Sequence, residues 1–529
     1  MGINKMKTNQ IITALIVLSL VLCACATRAD TFTANPGGGN WHSASTWTNN
    51  AVPSASDDAV ITTAVNVDST ISIHSLTING GGGTFFVASP LNASGDMTVN
   101  GPATVQQGAN VTIGGNLNIS SGATYDPSCS DVSVTGDTSV SGILKDGCGL
   151  NSHLADALGG NVTVNSGGVW QLSDVTEWSV AGNVVNNGSI TVTSGGITFI
   201  GSGKTISGNS FPIPKMVVNG TLQNSMALTV ATALSGSGTL AVGANTTLTL
   251  GGSVTVGTLD ASASPNTVTY SGAAQTVKSA SYNQLILSGS NVKTFSGSST
   301  VSSNLTVSSP VRAAINTTVT VTGTTTVNSG ATLSGTGTLN GATVVNGILA
   351  PGPGIATFTL GASPTLNGTT VMKINRTNSP NADLLSISGN PLAYSGILTV
   401  TNIGPALVAG NTFQLFSASG YSGAFGTVTL PTLAANLAWT NTLASNGAIS
   451  VVSTLPPGAP RISLSPAGTN LVLSWDSTNF PGYSVQAQTN SAAAGLGTNW
   501  SGTGSGTVSP FIVTNNPANP AVFFRLAHP

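Results

Sequence analysis

Between residues 65 and 345, apolar side chains recur at every second position in short runs such as Val111 to Ile113, Gly188 to Val192, Ile197 to Ile200 and Thr318 to Val321. Gly, Asn and Ser separate the runs. A period of two predicts strands with Val, Ile and Leu turned inward and Thr, Ser and Asn turned outward. No stretch carries a convincing helical period.

One phrase returns five times, at Gly95-Asp96, Gly115-Asn116, Gly136-Asp137, Gly160-Asn161 and Gly182-Asn183, each followed by an alternating strand. The leading glycines recur about every 21 residues, a spacing in the range of solenoid repeats. A unit of that length cannot bury its apolar face alone and must stack on its neighbours. The expected fold is therefore all-β: an elongated parallel β-helix, a solenoid, followed by a small antiparallel β-sandwich. An antiparallel meander is the alternative, and it would halve the period.

The expected domain boundaries follow from these patterns and from composition shifts. Residues 1–29 read as a signal peptide, with Lys5 and Lys7 ahead of an apolar run, Ile11 to Leu22, that is too short to span a bilayer core of about 30 Å. Ala24-Cys25-Ala26 and Thr27-Arg28-Ala29 fit peptidase sites, while Leu22-Cys23-Ala24-Cys25 is a poorer lipobox match that would anchor the chain through a lipidated Cys25. Residues 30–455 form the β-helical domain, comprising a cap (35–64), the repeats (65–345) and a closing segment (346–455). In the cap, Trp41 and Trp47 suit lids over an open solenoid end, with stacking on sugar rings as the functional alternative. A Pro-rich linker (456–460) precedes a terminal module (461–529) with strands expected at 461–464, 471–475, 483–488, 511–514 and 522–526.

Charge is scarce: 5% of residues are Asp, Glu, Lys or Arg, and the net charge is −2. Low charge with abundant β-branched residues favours folded sheet over disorder. The thirteen Lys and Arg residues form no stripe in the mature chain, which excludes a phosphate backbone as partner. No later run has the length and apolarity of a transmembrane helix.

Phrases farther along carry a resemblance. Gly201 to Gly208, Thr267 to Val277, Tyr282 to Gly289 and Lys293 to Phe295 are followed by Asn346 to Gly352, Asp383-Leu384-Leu385, Gly410 to Phe413, Phe425, Leu430-Pro431 and Trp439. Over residues 35–455 the chain resembles secreted bacterial proteins with autotransporter-associated β-strand repeats. It departs from them in lacking, after residue 455, the length for a membrane β-barrel of roughly 250 residues. The terminal segment, with Trp475, Tyr483, Trp500 and Phe523 to Leu526, resembles immunoglobulin-like or fibronectin-type modules without the antibody-type disulfide.

Cys129 and Cys148 are separated by close to one coil of the repeat and are expected to form a disulfide between neighbouring coils. Seven of the fifteen acids fall in one stretch: Asp126, Asp131, Asp137, Asp146, Asp156, Asp174 and Glu177, with Lys145 and His153 among them. A coil of about 21 residues would stack Asp131, His153 and Asp174 on one face and Asp137, Asp156 and Glu177 on another. Such a face, Asp131, Asp137, Asp156, Asp174 and Glu177, could bind Ca²⁺ through carboxylate oxygen or supply an acid and base pair for a polysaccharide-active enzyme. Against this, turns of any solenoid collect Asp and Asn because those side chains bond local backbone. His42, His74 and His528 stand without metal-ligand spacing, and Gly201 to Thr205 lacks the first glycine of a phosphate loop.

The functional expectation is a secreted, non-catalytic cell-surface or extracellular protein, adhesin-like, whose stalk displays or adheres. No catalytic residue, cofactor or nucleic-acid partner is assigned; glycans or other cell-surface proteins are the expected partners.

Overall fold

The computed structural model describes residues 29–81, 84–146, 156–172, 177–454, 458–478, 480–491, 493–503, 508–514 and 516–528. The residues up to Arg28, which carry the expected signal peptide and lipobox, lie outside the described residues together with Cys148, His153 and Asp174.

The chain forms two compact units. The first comprises everything up to Gly404 with Gln414–Pro431 and Leu443–Ala448; the second comprises Pro405–Phe413, Thr432–Thr442 and Ile449–Pro529. The terminal unit thus reaches back before the Pro-rich segment.

The first unit is a parallel β-solenoid, and each coil contributes three short strands, here called faces a, b and c. One coil runs Leu91–Ala93, Met97–Asn100, Thr104–Gln107; the next runs Val111–Ile113, Leu117–Ile119, Thr124–Asp126. Each strand pairs in parallel with its counterpart one coil on, so that Leu91 meets Val111, Met97 meets Leu117 and Thr104 meets Thr124. This excludes the antiparallel meander.

The alternation read from the sequence becomes an interior column on each face. On face b, Leu76, Met97, Leu117, Val162, Val184 and Ile206 are each under 2% exposed and stack in register. At roughly 25 cal/mol per Å² of apolar surface, such continuous columns are the main favourable term holding coil to coil. The first end is closed by Trp41 and Trp47, both buried, with ring centroids 4.7 Å apart and the Trp47 indole donating to the Trp41 carbonyl (2.8 Å). Their ring faces are taken up by packing, which removes them as a sugar platform. Near the last coils an aromatic cluster of Tyr394, Phe416, Tyr421 and Phe425 assembles in the same way, with ring centroids 4.9–5.8 Å apart.

Past residue 458 the second unit contains two three-stranded antiparallel sheets, and before it a three-stranded sheet of Thr412–Gln414, Ala448–Ser453 and Leu437–Thr442. Ser463–Ala467 pairs with Asn470–Ser474, which pairs with Phe511–Thr514; Ser501–Gly502 pairs with Ser484–Thr489, which pairs with Val522–Ala527. Leu473, Trp475 and Val485 form their common core, with Phe511, Phe524 and Leu526 packed against it. Among the described residues helix is limited to Ala44–Thr46 and Leu443–Asn446.

Candidate functional site

The repeated Gly-Asx phrase occupies the corner between faces a and b, and the structure gives it a mechanical explanation. The Asn116 amide donates to Asp96 Oδ1 (2.7 Å), the Asp137 amide to Asn116 Oδ1 (2.8 Å), the Asn161 amide to Asp137 Oδ1 (2.7 Å) and the Asn183 amide to Asn161 Oδ1 (3.0 Å). Thr205 closes the series by donating to Asn183 Oδ1 (2.9 Å). Each short carboxylate or amide side chain therefore satisfies the corner N–H of the next coil, a group that no strand ladder reaches. The glycines stack through their own backbone, with the Gly136 amide 2.9 Å from the Gly115 carbonyl. A methyl at Gly136 would stand 2.5 Å from that oxygen, so only glycine permits this approach.

Asp137 is thus a rung of a structural ladder, where a uniform repeat spacing had placed it beside Asp156 and Glu177. That grouping is corrected by the register. Asp137 lies opposite Asn161; Asp156 follows Val132 and precedes Trp178; Glu177 lies opposite Gly196. The coil from Asp137 to Asn161 is longer than the one before it, from Asn116 to Asp137, and the added residues shift every later position relative to the mean period. The other expected stack depends on His153 and Asp174, outside the described residues; Asp131 itself takes the position after Asn110, whose side chain accepts its amide (3.1 Å).

The remaining acids turn inward. Asp156 is fully buried, and its Oδ1 accepts the Val132 amide (2.8 Å). Asp146, 1% exposed, accepts the Trp178 indole N–H (3.2 Å) and occupies the register of Leu172, an interior position. Asp126 pairs with Lys145 (3.1 Å) and accepts the Ser128 amide (2.9 Å). Tyr125 lies in this interior; burial, reinforced by the Asp156 charge, pushes its phenol well above the usual range. The Trp170 and Trp178 rings cross nearby at 5.5 Å. Chemically this is a polar interior inside an apolar solenoid. It offers buried hydrogen bonding, and among the described residues no group of three or more His, Cys, Asp or Glu is gathered closely enough to hold a metal ion.

Two pairings escaped the sequence. His42 Nδ1 lies 2.7 Å from Asp68 Oδ1, and His74 Nδ1 lies 2.8 Å from Asp58 Oδ1, so neither histidine is isolated. The Ser69 hydroxyl completes a Ser-His-Asp set in composition, yet it meets the same Nδ1 as Asp68 (3.1 Å) and stands 3.5 Å from Nε2. A relay needs the two partners on opposite ring nitrogens, so this arrangement is not a nucleophile triad. The signal available beforehand was the interval between His42 and Asp68, which is close to one coil.

Farther along, two lysines reach back to carbonyls of earlier coils. Lys293 is fully buried and donates to the carbonyls of Gly272 (2.6 Å), Ala273 and Ser290 (3.1 Å); desolvation lowers its ammonium pKa. Lys373 pairs with the fully buried Asp383 (2.7 Å) and donates to Pro351 (2.8 Å) and Gly352 (3.0 Å). Asp383 also accepts the amides of Ala356 and Lys373, both at 2.8 Å. Burial raises its pKa despite those bonds. The Gly201 to Thr205 phrase is another a/b corner, followed by the strand Lys204–Gly208 and by no helix that could hold a phosphate.

Comparison of the whole chain with protein-family models and with curated proteins finds no match to either.

Proposed function

We infer that the chain is a secreted, non-catalytic surface or extracellular protein in which the solenoid serves as a rigid stalk for display or adhesion. The observation that carries this reading is the fate of the acids in the one charged neighbourhood: Asp126, Asp146 and Asp156 are buried and hydrogen-bonded, and Asp137 is committed to a corner ladder. What the strands turn outward is Thr, Ser, Asn and Gln, a neutral hydrogen-bonding surface suited to glycans or neighbouring proteins. The repeats resemble those of autotransporter-associated passengers, and the terminal sheets are proposed to be an immunoglobulin- or fibronectin-type module. Export by the N-terminal signal and a Cys129–Cys148 disulfide belong to the same reading.

The test is incubation of the purified protein with a panel of neutral and acidic polysaccharides, with and without Ca²⁺. The reading expects no cleavage products in either condition. Products that appear with Ca²⁺ and vanish with chelator would replace it with a polysaccharide-active enzyme, and recovery of the protein from the cytosol of its host would remove the export claim.

A further inference from the structure

Twelve of the fifteen acids lie in residues 30–177 beside one lysine, whereas residues 178–404 hold seven Lys or Arg and two Asp. In a solenoid, sequence order is axial position, so this imbalance becomes a charge gradient along the first unit. The register sets part of it along one ridge, which follows the a/b corner as far as Asn183 and, farther on, the outward positions of the face b strands Thr221–Asn224, Thr239–Val242 and Thr258–Ala261.

Successive rungs of that ridge run Asp58, Ser75, Asp96, Asn116, Asp137, Asn161, Asn183, Thr205, Gln223, Ala241, Asp260 and Ser281. Ionisable neighbours sit within the same turns: Asp57 and His74 precede Asp58 and Ser75, Lys204 precedes Thr205, and Lys278 stands in the turn before Ser281. Asp137, His74 and Asp260 are exposed, and Asp57, Lys204 and Lys278 are half-buried. The Lys278 turn is fixed in place, its amide donating to the Tyr270 hydroxyl (2.9 Å) and its carbonyl accepting from Tyr282 (2.5 Å).

We propose that this ridge is a self-complementary docking surface for a second, antiparallel copy of the chain. A twofold axis between the Asn161 and Asn183 rungs brings Asp137 opposite Lys204 of the other copy, the His74 rung opposite Asp260, and Asp57 opposite Lys278. Symmetry repeats each pair, as an isologous contact requires. Asp96 comes opposite Ala241, and Asp260 meets a rung whose His74 ring is bonded to Asp58 (2.8 Å). The rungs at the axis carry neutral amides, which hydrogen-bond equally well in either direction. Complementary charge of this kind governs encounter and register, and it weakens steeply with salt.

Sedimentation velocity of the full chain at about 20 mM and about 0.5 M NaCl, either side of the Debye-length range that screens surface charge, reads the association. The expected result is a dimer at low salt whose dissociation constant rises at least about tenfold at high salt, the behaviour of charge-steered contacts. Lys204→Glu with Lys278→Glu should leave a folded monomer, checked by circular dichroism, because neither side chain is buried. Zero-length carbodiimide cross-linking supplies the second readout. Asp137 and Lys204 of one copy are three rungs, roughly 15 Å, apart, beyond the reach of such a link, so an Asp137–Lys204 product reports two copies. A monomer at low salt, a dimer indifferent to salt or to the double substitution, cross-links lacking that pair, or a monomer that binds an anionic polysaccharide instead would each overturn the proposal.

Discussion

The solenoid solves one problem in two ways. Between Asp96 and Thr205 its a/b corner is held by short acceptors, with each Asx oxygen taking the N–H of the following coil. Beyond residue 270 long donors join such acceptors, of which Asn304 still takes the Thr324 amide (2.9 Å). Gln275 donates to the carbonyls of Leu250 (2.9 Å) and Gly252 (2.7 Å), Lys293 to Gly272 and Lys373 to Pro351, each reaching back to an earlier coil. Short acceptors demand glycine beside them and a close, repeating backbone. Long donors reach across irregular turns, and one of them, Lys293, places a charge in the interior. The difference teaches that several charged residues of this chain, Asp96, Asp137, Asp156, Lys293 and Lys373, answer backbone groups of a neighbouring coil.

The two solutions should fail differently. The largest effect is expected at Lys373→Met, which leaves Asp383 buried without its counter-charge and should cost about 3–5 kcal/mol in denaturant unfolding. Gly136→Ala comes next, at about 1–3 kcal/mol, because the added methyl collides with the Gly115 carbonyl. Asp137→Ala removes one acceptor at an exposed corner and should cost about 1 kcal/mol, whereas Asp137→Asn keeps the acceptor and should be near neutral.

The pH dependence sharpens the contrast further, with smaller shifts. The Ser54 hydroxyl lowers Asp57 and the His42 ring lowers Asp68; Asp58 is pushed up by burial but brought below its ordinary value by Ser75 and His74. Between those lowered values and the ordinary 3.8, the unfolded chain binds more protons than the folded one, so stability falls as pH drops through that window. Hydrogen exchange should show residues 30–79 loosening first on acidification. Lys293 acts at the opposite end of the scale: between its lowered pKa and 10.5 the unfolded chain again carries the extra proton, so stability rises with pH there. Lys293→Met should abolish that rise, as read by thermal melts across the alkaline range.

Much of the architecture was legible beforehand. The Gly-Asx spacing announces stacked coils, period-two alternation announces their inward faces, and all five strands expected in the terminal module have counterparts within a few residues, from Ser463–Ala467 to Val522–Ala527. The site was less legible for a definite reason. A mean period cannot foresee one overlong coil, and the residues added between Asp137 and Asn161 move Asp156 from the outer surface to the core side of face a. The histidine pairs went unseen because each partner is unremarkable alone and meets the other only across a coil boundary. The inward acids looked like surface residues because Asp is rarely buried without a partner, and their partners are backbone amides and indoles that composition does not reveal.

The central claim is that the Gly-Asx corners are load-transferring rungs of one continuous interior. Native-state hydrogen exchange resolved to single amides tests it most directly. The account predicts that the amides of Asn116, Asp137, Asn161, Asn183 and Thr205 exchange as slowly as those of the adjoining strands, because each is bonded to the Asx side chain of the preceding coil. Exchange of these five at the rate of open turns, while the strands stay protected, would contradict it.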